Sequence, residues 1–310
     1  MKILIADKVH DCLLDGLKDL AHEVDYFPEI DRKGILETIY HYEGLVIRSK
    51  TNIDNEIISK AVKLKFIARA GAGTDNIDIF ACEEQNITCL HAAGANADAV
   101  GEQALGMLLA LLANITKADK EVRNGIWDRE GNSGFELNGK TIGIIGYGYT
   151  GKAFARKLSG MDVEVLAYDK YLKDYSDTFA TQSDLDSIYK KANIISFHVP
   201  LTSETQYFLN NSFIQKMNSP FCLLNLSRGQ VVNTSDLLLG LETKKIKGAC
   251  LDVLENEKID QLSASERAVF NKLTKLNEVV LTPHIGGWSK ESFEKISKLL
   301  LQKIKELTKT

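Results

Sequence analysis

The sequence predicts an α/β protein made of two doubly wound parallel-sheet domains, and three observations predict it. Short runs of aliphatic and β-branched residues alternate with amphipathic or polar helical segments along the whole chain. These runs fall into two series separated by one long helical stretch. At 310 residues the chain is too long for one ordinary domain and about right for two. Continuous apolar strands joined by helical crossovers belong to parallel sheets covered on both faces.

The first series places strands at 2–6, 45–48, 66–70 and 87–90. The second places them at 141–145, 163–168, 194–198, 222–226, 248–252 and 279–281. Between the series, residues 96–124 have an Asn/Asp-rich start, an apolar middle and a stop at Gly125, the pattern of one long helix. A second long helix, about 290–307, closes the sequence. There is no repeat and no low-complexity linker, and with only four prolines the units are tightly joined.

Composition narrows the partners. The chain is 44% hydrophobic and 26% charged with a net charge of −4, and no basic run stands out. Nucleic acid and anionic membrane are therefore excluded as expected partners. A small anionic molecule remains, because a few placed arginines matter more than net charge. The five cysteines, Cys12, Cys82, Cys89, Cys222 and Cys250, are scattered and never spaced as CxxC, which argues against disulfides and zinc; no metal is expected. Lys2 leads straight into a strand-like run without a signal-peptide pattern, and the apolar stretch 104–113 is too short to span a bilayer. A cytoplasmic location is the expectation.

Residues 141–151 read TIGIIGYGYTG, an apolar strand running into Gly146-x-Gly148-x-x-Gly151 and then a helical stretch. Gly146 permits a tight turn, Gly148 lets the backbone approach a pyrophosphate, and Gly151 lets helix and strand pack closely. The helix N-terminus offers N–H groups to the phosphate charge. A second strand ends at Tyr168-Asp169, and Asp169 stands 18 residues after Gly151, near the spacing of a ribose-binding carboxylate. Such a Rossmann-type unit binds a dinucleotide. The Asp169 charge repels a 2′-phosphate and favours NAD over NADP, a preference that Lys170 beside it weakens slightly.

Three later strands end in chemistry-bearing residues: Ser227-Arg228-Gly229, Asp252 followed by Glu257, and Thr282-Pro283-His284-Ile285-Gly286-Gly287. In an open α/β sheet, ligands gather past the carboxyl ends of the strands. An Arg, a Glu and a His delivered there make an acid–base dyad with an anion clamp. His284 takes the hydroxyl proton on oxidation and returns it on reduction. Glu257 orients and charges the imidazole, and Arg228 holds an anionic substrate.

The segments LVIRSKT, ARAGAGTDNID, GKTIGIIGYGYTG, FHVPLT, NLSRG, LDVLENE and TPHIGG, in this order, resemble the D-isomer-specific 2-hydroxyacid dehydrogenases over nearly the whole chain. Within that family the likeness is to the short-form phosphoglycerate dehydrogenases, which lack appended regulatory domains. The resemblance implies a Rossmann-type cofactor domain at 94–287 and a discontinuous flavodoxin-like substrate domain at 1–93 and 288–310, with the active site in the cleft. It implies the catalytic roles of Arg228, Glu257 and His284. Asp252 becomes the partner of the nicotinamide amide. Tyr149, Thr150, Val199, Leu226 and Gly286 join Gly146, Gly148, Gly151 and Asp169 around NAD. Backbone at Ala72 and Gly73 meets the substrate carboxylate, and Arg48 and Arg69 lie near its anionic end. His198 in FHVPLT reads as structural.

The chain departs from the family pattern at three places. Tyr149-Thr150 replaces Arg-Ile in the glycine loop, Lys258 replaces the proline after the catalytic Glu, and Trp288 replaces a small residue. The stretch 259–275 is also long, polar and helix-like. The reaction implied is hydride transfer between NAD and C2 of a small D-2-hydroxy acid, with 3-phospho-D-glycerate, at the start of serine synthesis, leading. Glyoxylate, hydroxypyruvate, D-lactate and erythronate 4-phosphate are the alternative acids. A reading from another class is an NAD-sensing corepressor-like protein without turnover. The resemblance also implies a homodimer through the cofactor domain, with the apolar helix 96–124 as its surface.

Overall fold

The computed structural model describes residues 1–309. Contacts divide the chain into two units: Met1–Asn96 together with the described residues from Trp288 onward, and Ala97–Gly287.

The first unit holds β1 (Lys2–Ile5), β2 (Glu23–Tyr26), β3 (Gly44–Ile47), β4 (Phe66–Arg69) and β5 (Thr88–His91). All are parallel, in the order β2-β1-β3-β4-β5, which is the flavodoxin-like order. Alternate residues feed opposite faces. Leu4, Leu45, Ile47 and Ile67 pack with Ile35, Ile57 and Ile58 on one side. Ile3, Ile5, Val46 and Phe66 pack on the other with Leu13, Leu17 and three residues of the last helix, Ile296, Leu300 and Ile304. That helix, Lys290–Thr308, is capped by Ser289, whose side chain accepts from the Ser292 amide.

The second unit holds β6 (Thr141–Ile145), β7 (Glu164–Tyr168), β8 (Thr181–Gln182), β9 (Ile194–Phe197), β10 (Phe221–Asn225), β11 (Ile246–Leu251) and β12 (Val279–Leu281). Their order, β12-β11-β10-β9-β6-β7-β8, is the Rossmann order with one further parallel strand at the far edge. The chain reverses direction across the sheet between β6 and β9, so the ligand crevice opens at the carboxyl ends of these two strands. The fold class is therefore that of two doubly wound parallel sheets.

Two features differ from expectation. The edge strands β2 (EVDY) and β8 (TQ) carry no apolar run: neither holds a fully buried residue, and both residues of β8 are exposed. The single helix expected over 96–124 is two helices, Ala97–Leu112 and Ile115–Arg123, bent by 63°. The break sits at Asn114, whose φ of 52° is left-handed, a conformation Asn tolerates better than most residues. Val100, Ala104, Met107, Leu108 and Leu111 of the first helix are buried in the core of this unit. Among the described residues, no single helix is long and apolar enough to cross a membrane.

Candidate active site

The glycine loop follows β6. Gly146 has a φ of +92°, and a Cβ there would lie 2.5 Å from the His198 carbonyl oxygen and 2.8 Å from Val199 Cγ1. Only glycine lets the β6 and β9 exits close up in this way. Gly148 caps the nine-residue helix Tyr149–Lys157, and a Cβ on it would meet nothing within 4 Å. The loop thus offers bare backbone and a helix N-terminus to open space, a fit for a pyrophosphate. Gly151 tucks under Gly146, whose oxygen would be 2.2 Å from an added Cβ. Tyr149 is exposed and Thr150 half-buried, so neither side chain fills the loop.

Asp169 stands at the end of β7 with its carboxylate directed into this loop. Oδ2 accepts from the Tyr147 amide at 2.9 Å, and Oδ1 accepts from the amides of Tyr171 at 3.0 Å and Leu172 at 3.1 Å. A carboxylate has about four acceptor positions, so one remains for a ribose hydroxyl. Tyr147 is itself fully buried and donates to Asp177; burial first, and then this bond, push its phenol well above the ordinary value. These residues fit a dinucleotide.

Arg228, Glu257 and His284 are gathered past the ends of β10, β11 and β12. Arg228 follows β10, and its guanidinium donates to the Ser227 carbonyl at 2.7 Å. The next residue, Gly229, abuts the loop after β11: a Cβ there would fall 1.8 Å from the Leu254 carbonyl oxygen. That approach holds the Arg228 turn against the loop carrying Glu257. His284 Nδ1 lies 2.9 Å from Glu257 Oε2. A carboxylate only accepts, so Nδ1 carries the proton and Nε2 is the ring nitrogen that exchanges one. The hydrogen bond that His284 donates to Glu257 raises the His284 pKa, burial opposes it, and the Asp252 charge adds to the rise while Arg228 lowers it.

Asp252 builds the turn that presents His284. It is 2% exposed, and its carboxylate accepts from Thr282 Oγ1 at 2.5 Å and from the amides of Ile285 at 2.9 Å and Gly286 at 2.8 Å. Its own carbonyl accepts from the His284 amide at 2.7 Å. His284 has a φ of +54°, a left-handed backbone that is uncommon outside glycine, though His adopts it more readily than most residues. Gly286 lies against Asp252 and Leu226, the latter buried at the end of β10.

The departure at 258–275 leaves Glu257 in a braced loop. The segment folds as a short 3₁₀ turn, Ile259–Gln261, and a helix, Ala264–Leu273, with a Ser263–Glu266 capping box. Asn256 donates to Glu266, and Lys258 donates its amide to Asn256. Leu254, Ile259 and Phe270 line one side of a cavity of about 370 Å³, with Glu257, His284 and Asp252 on its wall.

His198 has different surroundings. It is buried, its Nε2 lies 2.9 Å from Ser196 Oγ, and its ring packs on Phe154 at 5.5 Å. Burial lowers its pKa to about 4, so it is neutral at physiological pH.

In the first unit, Arg48 follows β3 and Arg69 ends the adjacent strand β4, and Asn76 ties them together. Arg69 Nε donates to Asn76 Oδ1 at 3.0 Å, and Asn76 Nδ2 donates to the Arg48 carbonyl at 2.8 Å. The Arg48 guanidinium lies 4.5 Å from the Trp288 ring and 5.0 Å from that of Phe293. Burial lowers its pKa, and Asp7 partly offsets this. Ala72 and Gly73 lie in the loop after β4, where the Ala72 carbonyl meets His91 Nδ1 at 2.7 Å. Sequence reasoning passed over Asn76, although it lies inside the ARAGAGTDNID segment. It also passed over Glu204 and the positioning task of Asp252.

Residues 105–286 match the family model described as D-isomer specific 2-hydroxyacid dehydrogenase, NAD binding domain. The chain is 32% identical over 311 residues to the D-3-phosphoglycerate dehydrogenase of Archaeoglobus fulgidus, covering all of this chain and 58% of that protein. It thus spans little more than half the length of that relative. It is 35% identical over 279 residues to the hydroxypyruvate reductase of Thermotoga maritima, covering 90% of this chain and 89% of that one. The solved D-lactate dehydrogenase of Aquifex aeolicus, complexed with NAD and lactic acid, superposes with a TM-score of 0.85 at 25% identity, covering 100% of this chain and 96% of that one. With the glycine loop on β6 and the Arg, Glu and His on the exits of β10 to β12, this chain belongs to the D-isomer specific 2-hydroxyacid dehydrogenase family and carries its NAD-binding domain.

Proposed function

We propose that the protein is an oxidoreductase acting at C2 of a D-2-hydroxy acid, with His284 as its acid–base residue. One observation carries this reading: the 2.9 Å His284–Glu257 contact at the carboxyl edge of the sheet that bears the glycine loop. NAD, when bound, supplies the carbon that accepts the hydride or returns it.

The chain's own residues do the rest. In oxidation His284 Nε2 takes the C2 hydroxyl proton, and in reduction it returns that proton to the carbonyl oxygen. Glu257 stabilises the imidazolium through Nδ1–H and fixes the ring's orientation. Arg228 binds the substrate carboxylate and polarises the C2 oxygen. Asp252 holds the His284 turn, and its remaining acceptor position serves the nicotinamide amide. Gly146, Gly148, Tyr149, Thr150 and Gly151 cradle the pyrophosphate mainly through backbone. Val199, Leu226 and Gly286 line the cofactor, and Asp169 takes a ribose hydroxyl. The test is a panel of 2-keto acids, phosphorylated and not, assayed with NADH and NADPH. Absence of turnover with every acid would instead favour an NAD-sensing binding protein.

For the substrate we propose 3-phospho-D-glycerate and its keto acid, placing the reaction in serine biosynthesis. Arg48 and Arg69, linked through Asn76, suit a phosphate, and Ala72 and Gly73 lend backbone to a carboxylate. The Archaeoglobus relative supports the same acid. A second reading, an unphosphorylated acid such as hydroxypyruvate, is favoured by the stacking of Arg48 on Trp288 and Phe293 and by the Thermotoga relative. Neutral substitutions of Arg48 and Arg69 separate the two: they raise KM selectively for phosphorylated acids in the first case and for none selectively in the second.

We also propose a homodimer through the NAD-binding unit. The segment 126–135 is laced onto the helix Ile115–Arg123 by Lys117, Asn114 and Asn132. Together they expose Ile115, Val122, Ile126, Trp127 and Phe135, Trp127 at 80%. An exposed cluster of large apolar side chains marks an association surface. Light scattering of the Trp127→Glu variant as a monomer, against a wild-type dimer, tests it.

A further inference from the structure

Lys170 follows Asp169 directly, and a cation beside the ribose carboxylate would by itself soften the refusal of a 2′-phosphate. The structure gives that cation a partner. Glu204, in the turn after β9, takes Lys170 Nζ at 2.6 Å on Oε1 and the Tyr171 hydroxyl at 2.6 Å on Oε2. The turn is preformed: the Thr202 amide donates to Thr205 Oγ1 at 2.8 Å, Thr205 Oγ1 donates to the Pro200 carbonyl at 2.6 Å, and the Glu204 amide donates to Thr202 Oγ1 at 3.3 Å. Glu204 therefore joins the loop after β7 to the loop after β9, the two loops flanking the adenosine end of the crevice in a sheet of this order.

The charges can be counted. Asp169 contributes −1, Lys170 +1 and Glu204 −1, so the corner carries one net negative charge. Without the Glu204 charge it would be neutral, with Lys170 released toward whatever lies beside the ribose. Asp169 has three of its acceptor positions engaged by backbone amides, so its carboxylate is held in place and cannot swing away from an added phosphate.

We propose that Glu204 is a cofactor-specificity residue of this chain, one that neutralises Lys170 and so keeps the Asp169 corner closed to a 2′-phosphate. The proposal rests on the NAD reading of the glycine loop and not on the identity of the acid. The mutual hydrogen bond agrees with it: Glu204 lies below its ordinary pKa, through Lys170 first and Tyr171 second, and Lys170 lies above its own through Glu204.

The test is the Glu204→Gln variant, which keeps an acceptor for Tyr171 and removes the charge. Binding of NADH and NADPH is titrated by their fluorescence with no acid substrate present, so the outcome is independent of the substrate assignment. The dissociation constant for NADPH should fall about tenfold and that for NADH change less than about twofold. The Lys170→Met/Glu204→Gln double variant should return the ratio to near the wild-type value. Raising the salt from about 0.05 to 0.5 M should shrink the wild-type preference more than that of Glu204→Gln. An unchanged NADPH affinity in Glu204→Gln overturns the proposal. So does a gain that persists in the double variant, or an equal loss for both cofactors, which would make Glu204 a loop strap only. Wild-type protein that binds neither cofactor would overturn the cofactor reading and this proposal with it.

Discussion

Two histidines stand just beyond parallel strands of the same sheet, His284 after β12 and His198 after β9, and their surroundings send them in opposite directions. The His284 side chain is 46% exposed and shares a proton with Glu257. His198 is 8% exposed, packed on Phe154, and has a hydroxyl rather than a carboxylate for a partner. The first is pushed above the ordinary imidazole value and the second down to about 4. A place at the end of a strand is therefore not enough for acid–base work. The neighbour decides, through charge in one case and desolvation in the other.

The contrast breaks most sharply under substitution. His284→Ala should lower kcat/KM by about 10²–10⁴-fold, the range of general acid–base catalysis, while His198→Gln stays within a few-fold of wild type. Steady-state rates with the preferred acid check this, and equal losses at both positions would erase the distinction.

Glu257→Gln should cost less, about 10–100-fold, and move the pH profile. Oxidation needs neutral His284, so its rate rises with pH through a pKa that lies above 6.5 in the wild type. Loss of the Glu257 charge should carry that limb toward about 6.5. A pH–rate profile with an unmoved limb would mean that Glu257 does not charge the ring.

Asp252→Asn tests the turn that presents His284. The amide cannot accept from both Ile285 and Gly286, and one buried donor is orphaned. A stability loss of about 1–3 kcal/mol in urea unfolding is expected, with kcat falling more than the KM for the acid rises.

The smallest effect sharpens the comparison through stability. His198 must be neutral in the folded state, whereas the unfolded chain binds a proton near pH 6.5. Its contribution is present above about 6.5 and is lost as pH falls toward 4. Between pH 7 and pH 5 it should cost the wild type about 2 kcal/mol that His198→Gln does not lose. His284 has the reverse sign: its contribution is full below about 6.5 and fades as pH climbs through its raised folded value. Urea titrations at the two pH values read both slopes.

What was legible in the sequence follows from burial. The central strands β1, β3, β4, β6, β9, β10 and β11 are covered on both faces, so each spells an unbroken or nearly unbroken apolar run. β2 and β8 sit at edges, and nothing in EVDY or TQ distinguishes them from loop. The break at Asn114 was hidden because helical periodicity continues on both sides of one left-handed residue. At the site, the glycine spacing and the Arg, Glu and His at strand ends could be read locally. The Asp252 staple could not, since its three donors lie 30 to 34 residues away. Nor could the Arg48 stack on Trp288 and Phe293, or the Glu204 bridge to Lys170, 34 residues apart. Each depends on which loops the topology makes neighbours.

The last helix lends Ile296, Leu300 and Ile304 to the same core as Leu13 and Leu17. On a translating ribosome the amino-terminal sheet thus emerges long before the side chains that seal one of its faces. At about 5–20 residues per second, that face waits roughly 10–40 s after the sheet is complete, while the whole of Ala97–Gly287 is made in the interval. The cofactor unit can therefore mature first, and the exposed Leu13–Leu17 surface is where a chaperone would be expected to hold the nascent chain.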